Sequence, residues 1–343
     1  MADSWRFQIG HLAAKMRAMP SFVVTQEDDD KTLAAVVRQH LGVAWTAART
    51  MCERHKVQID GQLAPDPVRR VRLGQTITVN QTAPRPMPQA VVAAQKRVVY
   101  EDSQLIVVNK PVGMSSVPYE RGETSTAMDM VRDAWRASGR NATEQPLYVV
   151  HRIDKDTSGL LMFAKTRTAE RDLQQLFRHH DIRRRYICVV HGYFLSQTIE
   201  SYLIKDRGDG LRGSLAPWKA ELGHAGRLAL THVEVLEHIG TLATVCAVQI
   251  ETGKTHQIRI HLAEAGHPII GERVYIRDFT RKGQTALPCP RLLLHAETLG
   301  FEHPNTGDDL MFQEEPPTDF ADAVARLRAQ ARKERQQAEA AAR

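Results

Sequence analysis

The chain has 343 residues, 42% of them hydrophobic, which is longer than one ordinary domain and apolar enough to build real cores. Lysine and arginine outnumber aspartate and glutamate by 46 to 40, an excess that suits a polyanionic partner but says nothing of fold. Cys52, Cys188, Cys246 and Cys289 are scattered without a C-x-x-C pair, which argues against a zinc site or a disulfide framework; no apolar run nears the about 18 residues of a membrane span and no secretory signal is visible, so a soluble cytoplasmic protein is expected.

In chain order, residues 1–20 read as an extension and residues 21–80 as a small domain of two helices and a hairpin. Leu33, Val36, Val37 and Leu41 recur at helical spacing, as do Ala47, Ala48, Met51 and Cys52. Asp60-Gly61 is a tight-turn signal, and a second turn at Leu73-Gly74 leads into a strand over Thr76 to Val79. Arg38, Arg49, Arg54 and Lys56 make this unit basic. Pro84, Pro86 and Pro88 mark residues 81–97 as a stiff linker. From Val98 to residue 317 strands dominate, with helices near Thr126 to Ala137 and Thr168 to His180; the second has Ala169, Leu173, Leu176 and Phe177 on one face. After Pro316-Pro317, Thr318 is placed to cap a helix that docks through Phe320, Val324 and Leu327, followed beyond Ala329 by a charged tail read as a frayed helix.

Three patterns invite other readings. Gly208 to Gly213 satisfies G-x-G-x-x-G, but Lys205-Asp206-Arg207 stands where a buried strand is needed and Pro217 interrupts any helix after it. Gly253-Lys254-Thr255 resembles the end of a phosphate-binding loop, yet Val248 occupies the place of that motif's first glycine. The fifteen histidines lack metal-ligand spacing: His179 and His180 are adjacent and cannot converge from one helical face.

The most informative segment is His151-Arg152-Ile153-Asp154-Lys155-Asp156-Thr157-Ser158-Gly159, a turn-forming loop between the strand-like runs Leu147 to Val150 and Leu160 to Ala164. A rigidly supported loop is where a reactive side chain belongs, although the same residue types also make ordinary polar turns. Asp156 shapes the loop here; the paired carboxylates of a glycosidase normally come from different elements.

This loop resembles the signature of the RluA-type pseudouridine synthases, which isomerise uridine within RNA. Val108-Asn109-Lys110-Pro111-Val112-Gly113, Glu251 to Arg259, Gly266-His267-Pro268-Ile269-Ile270-Gly271 and Arg291 to His295 resemble further family segments in the same order. The resemblance implies an α+β catalytic domain over residues 98–317, with a large mixed, mainly antiparallel sheet flanked by helices. It assigns Asp154 as the essential carboxylate, held charged and oriented by paired hydrogen bonds from Arg259, and Tyr186, at the start of a strand over Tyr186 to Val190, as the ring that stacks on the target uracil. His151, Arg152, Thr157 and Lys254 follow as substrate-binding residues by their motif positions, Arg152 filling the vacancy left by an everted base. Arg183 and Arg185 would form a phosphate-binding edge beside Tyr186. Around Arg259, alternation competes with helical spacing, and a short helix from near His256 to a stop at Gly266 is favoured. The chemistry implied needs no cofactor and no metal, since uridine and product are isomers.

The small domain resembles the ribosomal-protein S4 type of RNA-binding module, although Trp45-Thr46 stands where that module commonly opens its second helix with Ser-Arg. Large-subunit ribosomal RNA is then the expected substrate and partner, acted on by a monomer. Transfer RNA is the nearest alternative; a non-catalytic RNA-binding or ribosome-assembly protein on a decayed synthase fold belongs to a different class.

Overall fold

The computed structural model describes residues 20–54, 56–81, 94, 96–120, 122–215 and 226–341. The expected extension over 1–20, apart from Pro20, and most of the linker over 81–97 lie outside these residues. The chain divides into two compact units, Met1–Pro88 and Gln89–Arg343.

In the first unit, β1 (Ser21–Val23), α1 (Leu33–Leu41), α2 (Trp45–Glu53), β2 (Val57–Ile59), β3 (Gln62–Leu63) and β4 (Thr76–Val79) follow one another, and the strands form an antiparallel sheet in the order β1-β4-β2-β3. Asp60 and Gly61 both have positive φ, 50° and 79°, the backbone that a two-residue hairpin with the right-handed strand twist requires. Leu33, Val36 and Val37 of α1 bury against Ala48 and Cys52 of α2 and against Val57, Ile59 and Ile77 of the sheet. The apolar stripes read from the sequence thus meet in one small core.

The second unit contains β5 (Val98–Glu101), β6 (Leu105–Lys110), α3 (Ala127–Ala137), β7 (Tyr148–Val149), β8 (Ser158–Ala164), α4 (Arg167–His179), β9 (Arg183–His191), β10 (Gln197–Ile204), β11 (Gly213–Leu215), β12 (Arg227–Ile239), β13 (Ala243–Ile250), α5 (Gln257–Glu264), α6 (Arg277–Arg281), β14 (Leu294–Glu302), β15 (Asp309–Gln313) and α7 (Thr318–Ala341). Its sheet has 11 strands among the described residues, running β11-β10-β12-β13-β9-β14-β8-β6-β5, with β15 added to β14 and β7 to β8. Among the described residues only the β8–β14 pair is parallel, so the sheet is mixed and mainly antiparallel.

Helices α3 and α4 begin where side chains satisfy free N–H groups. Thr126 and Asp129 form a reciprocal capping box on α3, and Thr166 accepts from Ala169 at the start of α4. Strands β6 and β8 are buried on both faces: Ile106, Val108, Leu161 and Phe163 enter one core with Trp135 of α3, while Leu105, Val107, Leu160 and Met162 enter another with Ala169 and Leu173 of α4. Covering both faces explains why these strands read as continuous apolar runs instead of alternating ones. Phe320, Val324 and Leu327 dock α7, and the helix continues to Ala341 as an exposed, charged extension where a frayed end was expected.

Candidate active site

The loop over 150–157 enters the middle of the large sheet at the start of β8. Across the neighbouring strands one row reads Gly159 on β8, Ala296 on β14, Tyr186 on β9 and Val248 on β13. A side chain at Gly159 could not fit, because its Cβ would meet Ala296 O at 2.2 Å, and φ there is +113°. The glycine lets β8 and β14 close up under the loop. Tyr186 then stands two strand spacings, about 10 Å, along that row from Gly159.

Backbone ties fix the residues on either side of Asp154. Ser116 Oγ donates to Ile153 O at 2.7 Å and accepts from Ile153 N at 3.2 Å. Lys110, fully buried at the end of β6, donates from Nζ to the carbonyls of Pro111, Met114 and Lys155 at 3.1, 2.8 and 3.2 Å. Burial pushes the Lys110 ammonium down to about 7. Thr157 N donates to Asp154 O at 3.0 Å, closing the turn. An aspartate whose neighbours are held in this way has little freedom left except in its own side chain.

That side chain lies 3.5 Å from Arg259 Nη1 and 4.0 Å from His256 Nε2. Arg259 spends its paired hydrogen bonds elsewhere: Nε and Nη2 grip the two oxygens of Glu272 at 2.7 and 2.8 Å. Glu272 also accepts from the N–H groups of Val274 at 2.8 Å and Tyr275 at 3.3 Å. Burial opposes the charge on each partner, but their mutual contact outweighs it, holding the Arg259 guanidinium protonated and Glu272 below the usual carboxylate range. His256, in the left-handed conformation with φ 57° at the start of α5, hydrogen-bonds Tyr275 Oη at 2.7 Å; burial pushes its ring pKa down, with Asp154 acting weakly against that. The fork expected to orient Asp154 therefore holds Glu272, and Asp154 keeps one long ionic contact and a carboxylate open to the cleft.

The cleft over this loop has a volume of about 1480 Å³. Asp154, Arg259, Tyr186, His151, Arg152, Thr157 and Lys254 all line it. Arg152 is exposed and, among the described residues, has no ion-pair partner. Tyr186 is almost buried, which pushes its phenol pKa up, so it presents an aromatic surface instead of a proton-transfer group.

The profile of the RNA pseudouridylate synthase family matches residues 104–264. Ribosomal large subunit pseudouridine synthase D of Zymomonas mobilis is 34% identical over 267 residues, covering 76% of this chain and 81% of that protein. The chain belongs to the RluA-type RNA pseudouridine synthases. The dual-specificity RNA pseudouridine synthase RluA of Haemophilus ducreyi is 33% identical over 64% of this chain and 92% of its own length. The solved structure of human RNA pseudouridylate synthase domain containing 4 shares the fold, with TM-score 0.52 and 21% identity over 70% of this chain and 97% of that one.

Within the synthase fold, several expected roles change. Tyr186 is the fourth residue of β9, not its first, because Arg183 to Arg185 are already in the strand. Strand alternation then puts Arg184 and Tyr186 on one face, both lining the cleft, and turns Arg183 and Arg185 to the other, where they pair with Asp309 and Glu297. The phosphate-binding edge expected from Arg183 and Arg185 is thus spent on the protein's own carboxylates. His151 accepts from Met162 N at 3.1 Å, stacks on Phe177 at 4.6 Å, and is pushed by burial down to about 3, so the ring is neutral and serves to anchor the loop. Thr157 is buried beneath the loop and shapes it. Glu272, His256, Tyr275, Lys110 and Ser116 were not singled out in the sequence. Of these, Lys110 and His256 stand inside segments that resemble the family's, and Glu272 is the acid directly after the Gly-His-Pro-Ile-Ile-Gly segment.

In the first unit Arg38, Arg49 and Arg54 are exposed and Lys56 is half-buried. Arg38 lies over the Trp45 ring at 6.0 Å, Arg49 faces Glu53 at 3.7 Å, and Lys56 donates to Gln81 O. Among the described residues no helix is long and apolar enough to cross a membrane.

Proposed function

We propose that this synthase isomerises uridine in large-subunit ribosomal RNA, with Asp154 as the essential carboxylate acting on an everted nucleotide. The observation that carries the reading is the charge relay of three side chains. Arg259 is clamped by Glu272, which still leaves one N–H 3.5 Å from Asp154, whose carboxylate opens on the cleft. In each role open to it, attack on the anomeric carbon, addition to the base or removal of a ribose proton, the carboxylate must be ionised and free to move toward substrate. An arginine already clamped on its other side provides a fixed positive charge without covering both oxygens.

The reaction breaks the bond from uracil nitrogen to the anomeric carbon and rejoins that carbon to ring carbon five, with no net change in atoms or electrons. A uridine inside folded RNA must first leave its stack, which costs a few kcal/mol. Tyr186 offsets part of this by stacking on the base, a contact of about 1 to 3 kcal/mol. Arg152, exposed at the cleft, fills the vacated position, and Lys254, which also lines the cleft, binds RNA. The first unit acts as an S4-like module that adds backbone contacts through Arg38, Arg49, Arg54 and Lys56. The names of relatives from Zymomonas mobilis and Neisseria meningitidis, both large-subunit pseudouridine synthases D, support ribosomal RNA as the substrate. The protein acts as a cytoplasmic monomer, where that RNA is made.

The test is to map pseudouridine in ribosomal and transfer RNA incubated with wild type and with Asp154→Asn. Wild type is expected to modify large-subunit RNA, and the variant to bind it without turnover. Turnover by Asp154→Asn would remove the aspartate from its role; modification confined to transfer RNA would replace the substrate.

A further inference from the structure

Three consecutive arginines open β9, and only the middle one lacks a carboxylate. Arg183 pairs with Asp309 and Arg185 with Glu297, whereas among the described residues no acid lies within ion-pair distance of Arg184. Its contacts are the carbonyls of Ile250 at 3.5 Å and Glu251 at 3.2 Å and the face of Phe177 at 5.2 Å. Arg184 Nε is buried and has no hydrogen-bond partner, the only such side-chain atom among the described residues. Burial lowers the pKa of this guanidinium, with only the Tyr186 phenol acting against it.

A partly buried cation with an unused donor is costly in the free protein, and a fold that pairs its two neighbours has not paired this one. Space around it is kept open as well. A Cβ on Gly253 would meet Arg184 Nη1 at 2.9 Å, so the glycine of the Thr-Gly-Lys-Thr segment makes the slot in which the guanidinium sits. Arg184 is two residues from Tyr186 on the same strand face, about 7 Å away, within the span of one nucleotide.

We infer that Arg184, seated in the slot left by Gly253, is an anion site for the RNA phosphate adjoining the uridine that stacks on Tyr186. The anion completes the charge that the fold leaves open and fixes the backbone of the everted nucleotide relative to Asp154. This rests on the uridine-isomerising reading above. It replaces a diffuse basic edge with one residue and one phosphodiester.

The experiment uses the full chain and a synthetic RNA hairpin centred on the uridine it modifies, made with an ordinary linkage or with a neutral methylphosphonate at that nucleotide. For wild type the neutral linkage is expected to raise KM and lower kcat/KM about 10- to 100-fold, the range for a lost charge-assisted hydrogen bond. Arg184→Gln is expected to show a similar loss on the ordinary RNA and no further loss on the neutral one. The slope of log binding constant against log salt should fall by about 1 in Arg184→Gln and stay near wild type in Arg184→Lys. Thermal unfolding separates this from a structural role, since removing an uncompensated cation should leave the melting temperature unchanged or raised. Wild-type turnover that ignores both the linkage and the substitution, or a fall in melting temperature that accounts for the lost activity, overturns the inference alone. No turnover by wild type on any RNA overturns it together with the reading beneath it.

Discussion

The pair formed by Arg259 and Glu272 decides what Asp154 is free to do. The buried glutamate takes the Nε/Nη2 edge of the guanidinium, and the half-buried aspartate meets only Nη1, at 3.5 Å. Glu272→Gln is therefore expected to act at a distance from substrate. It leaves Arg259 with only the long contact to Asp154 as counter-charge and turns one acceptor into a donor facing another donor, at about 3 to 5 kcal/mol of stability. Released from its clamp, the guanidinium is drawn onto Asp154 and covers it. Urea unfolding should show the lost stability and single-turnover assays a rate at least about tenfold lower; an unchanged midpoint with an unchanged rate would remove Glu272 from the site. The association of Asp154 with Arg259 was legible because both stand in recognisable segments, whereas Glu272 stands just outside one. Which of the three arginines before Tyr186 shares its face was not legible while the tyrosine stood as the strand's first residue; with β9 beginning at Arg183, period-two alternation puts Arg184 there.

Element boundaries were legible where caps and glycines mark them. The helix expected near Thr126 to Ala137 begins after the Thr126 capping box, and the one expected from near His256 begins at Gln257 and ends just before Gly266. Strand order was not, because β9 reaches β13 and β14 across long sequence separations and nothing in either segment names its partner. Helix α5 shows how such a placement is held. Gln257 donates to Leu230 O and Thr231 Oγ1, both at 3.0 Å, and His261 bridges Ser201 Oγ at 2.8 Å and Thr231 Oγ1 at 2.9 Å, tying the helix to β10 and β12. Burial pushes His261 down to about 4. Between an unfolded value near 6.5 and that figure, the unfolded chain binds a proton that the folded chain does not, so stability falls as pH falls through this window. The loss from this group reaches roughly 3 kcal/mol below pH 4. His261→Gln, which can still meet both hydroxyls, should flatten the dependence of melting temperature on pH between about 6.5 and 4. An equally steep profile would mean that His261 is not neutral in the folded protein.

At the scale of the whole molecule the chain forms two units, each with its own buried core. Every residue assigned to the reaction lies within Gln89–Arg343, and the exposed arginines of α1 and α2 lie in Met1–Pro88. A unit that only adds backbone contacts changes affinity for large RNA and its salt dependence, and leaves the rate on bound substrate alone. A fragment beginning at Gln89 is therefore expected to fold, and to convert a short hairpin with the kcat of the full chain. On large-subunit ribosomal RNA its KM should rise, and its salt slope should fall by about 0.9 for each phosphate contact removed. Substituting Arg38, Arg49 and Arg54 together by glutamine in the full chain should reproduce that change in slope with the catalytic unit untouched. If the fragment keeps both the KM and the slope of the full chain on ribosomal RNA, the small unit is not an RNA-binding module, and the basic residues on its helices are a solvated surface.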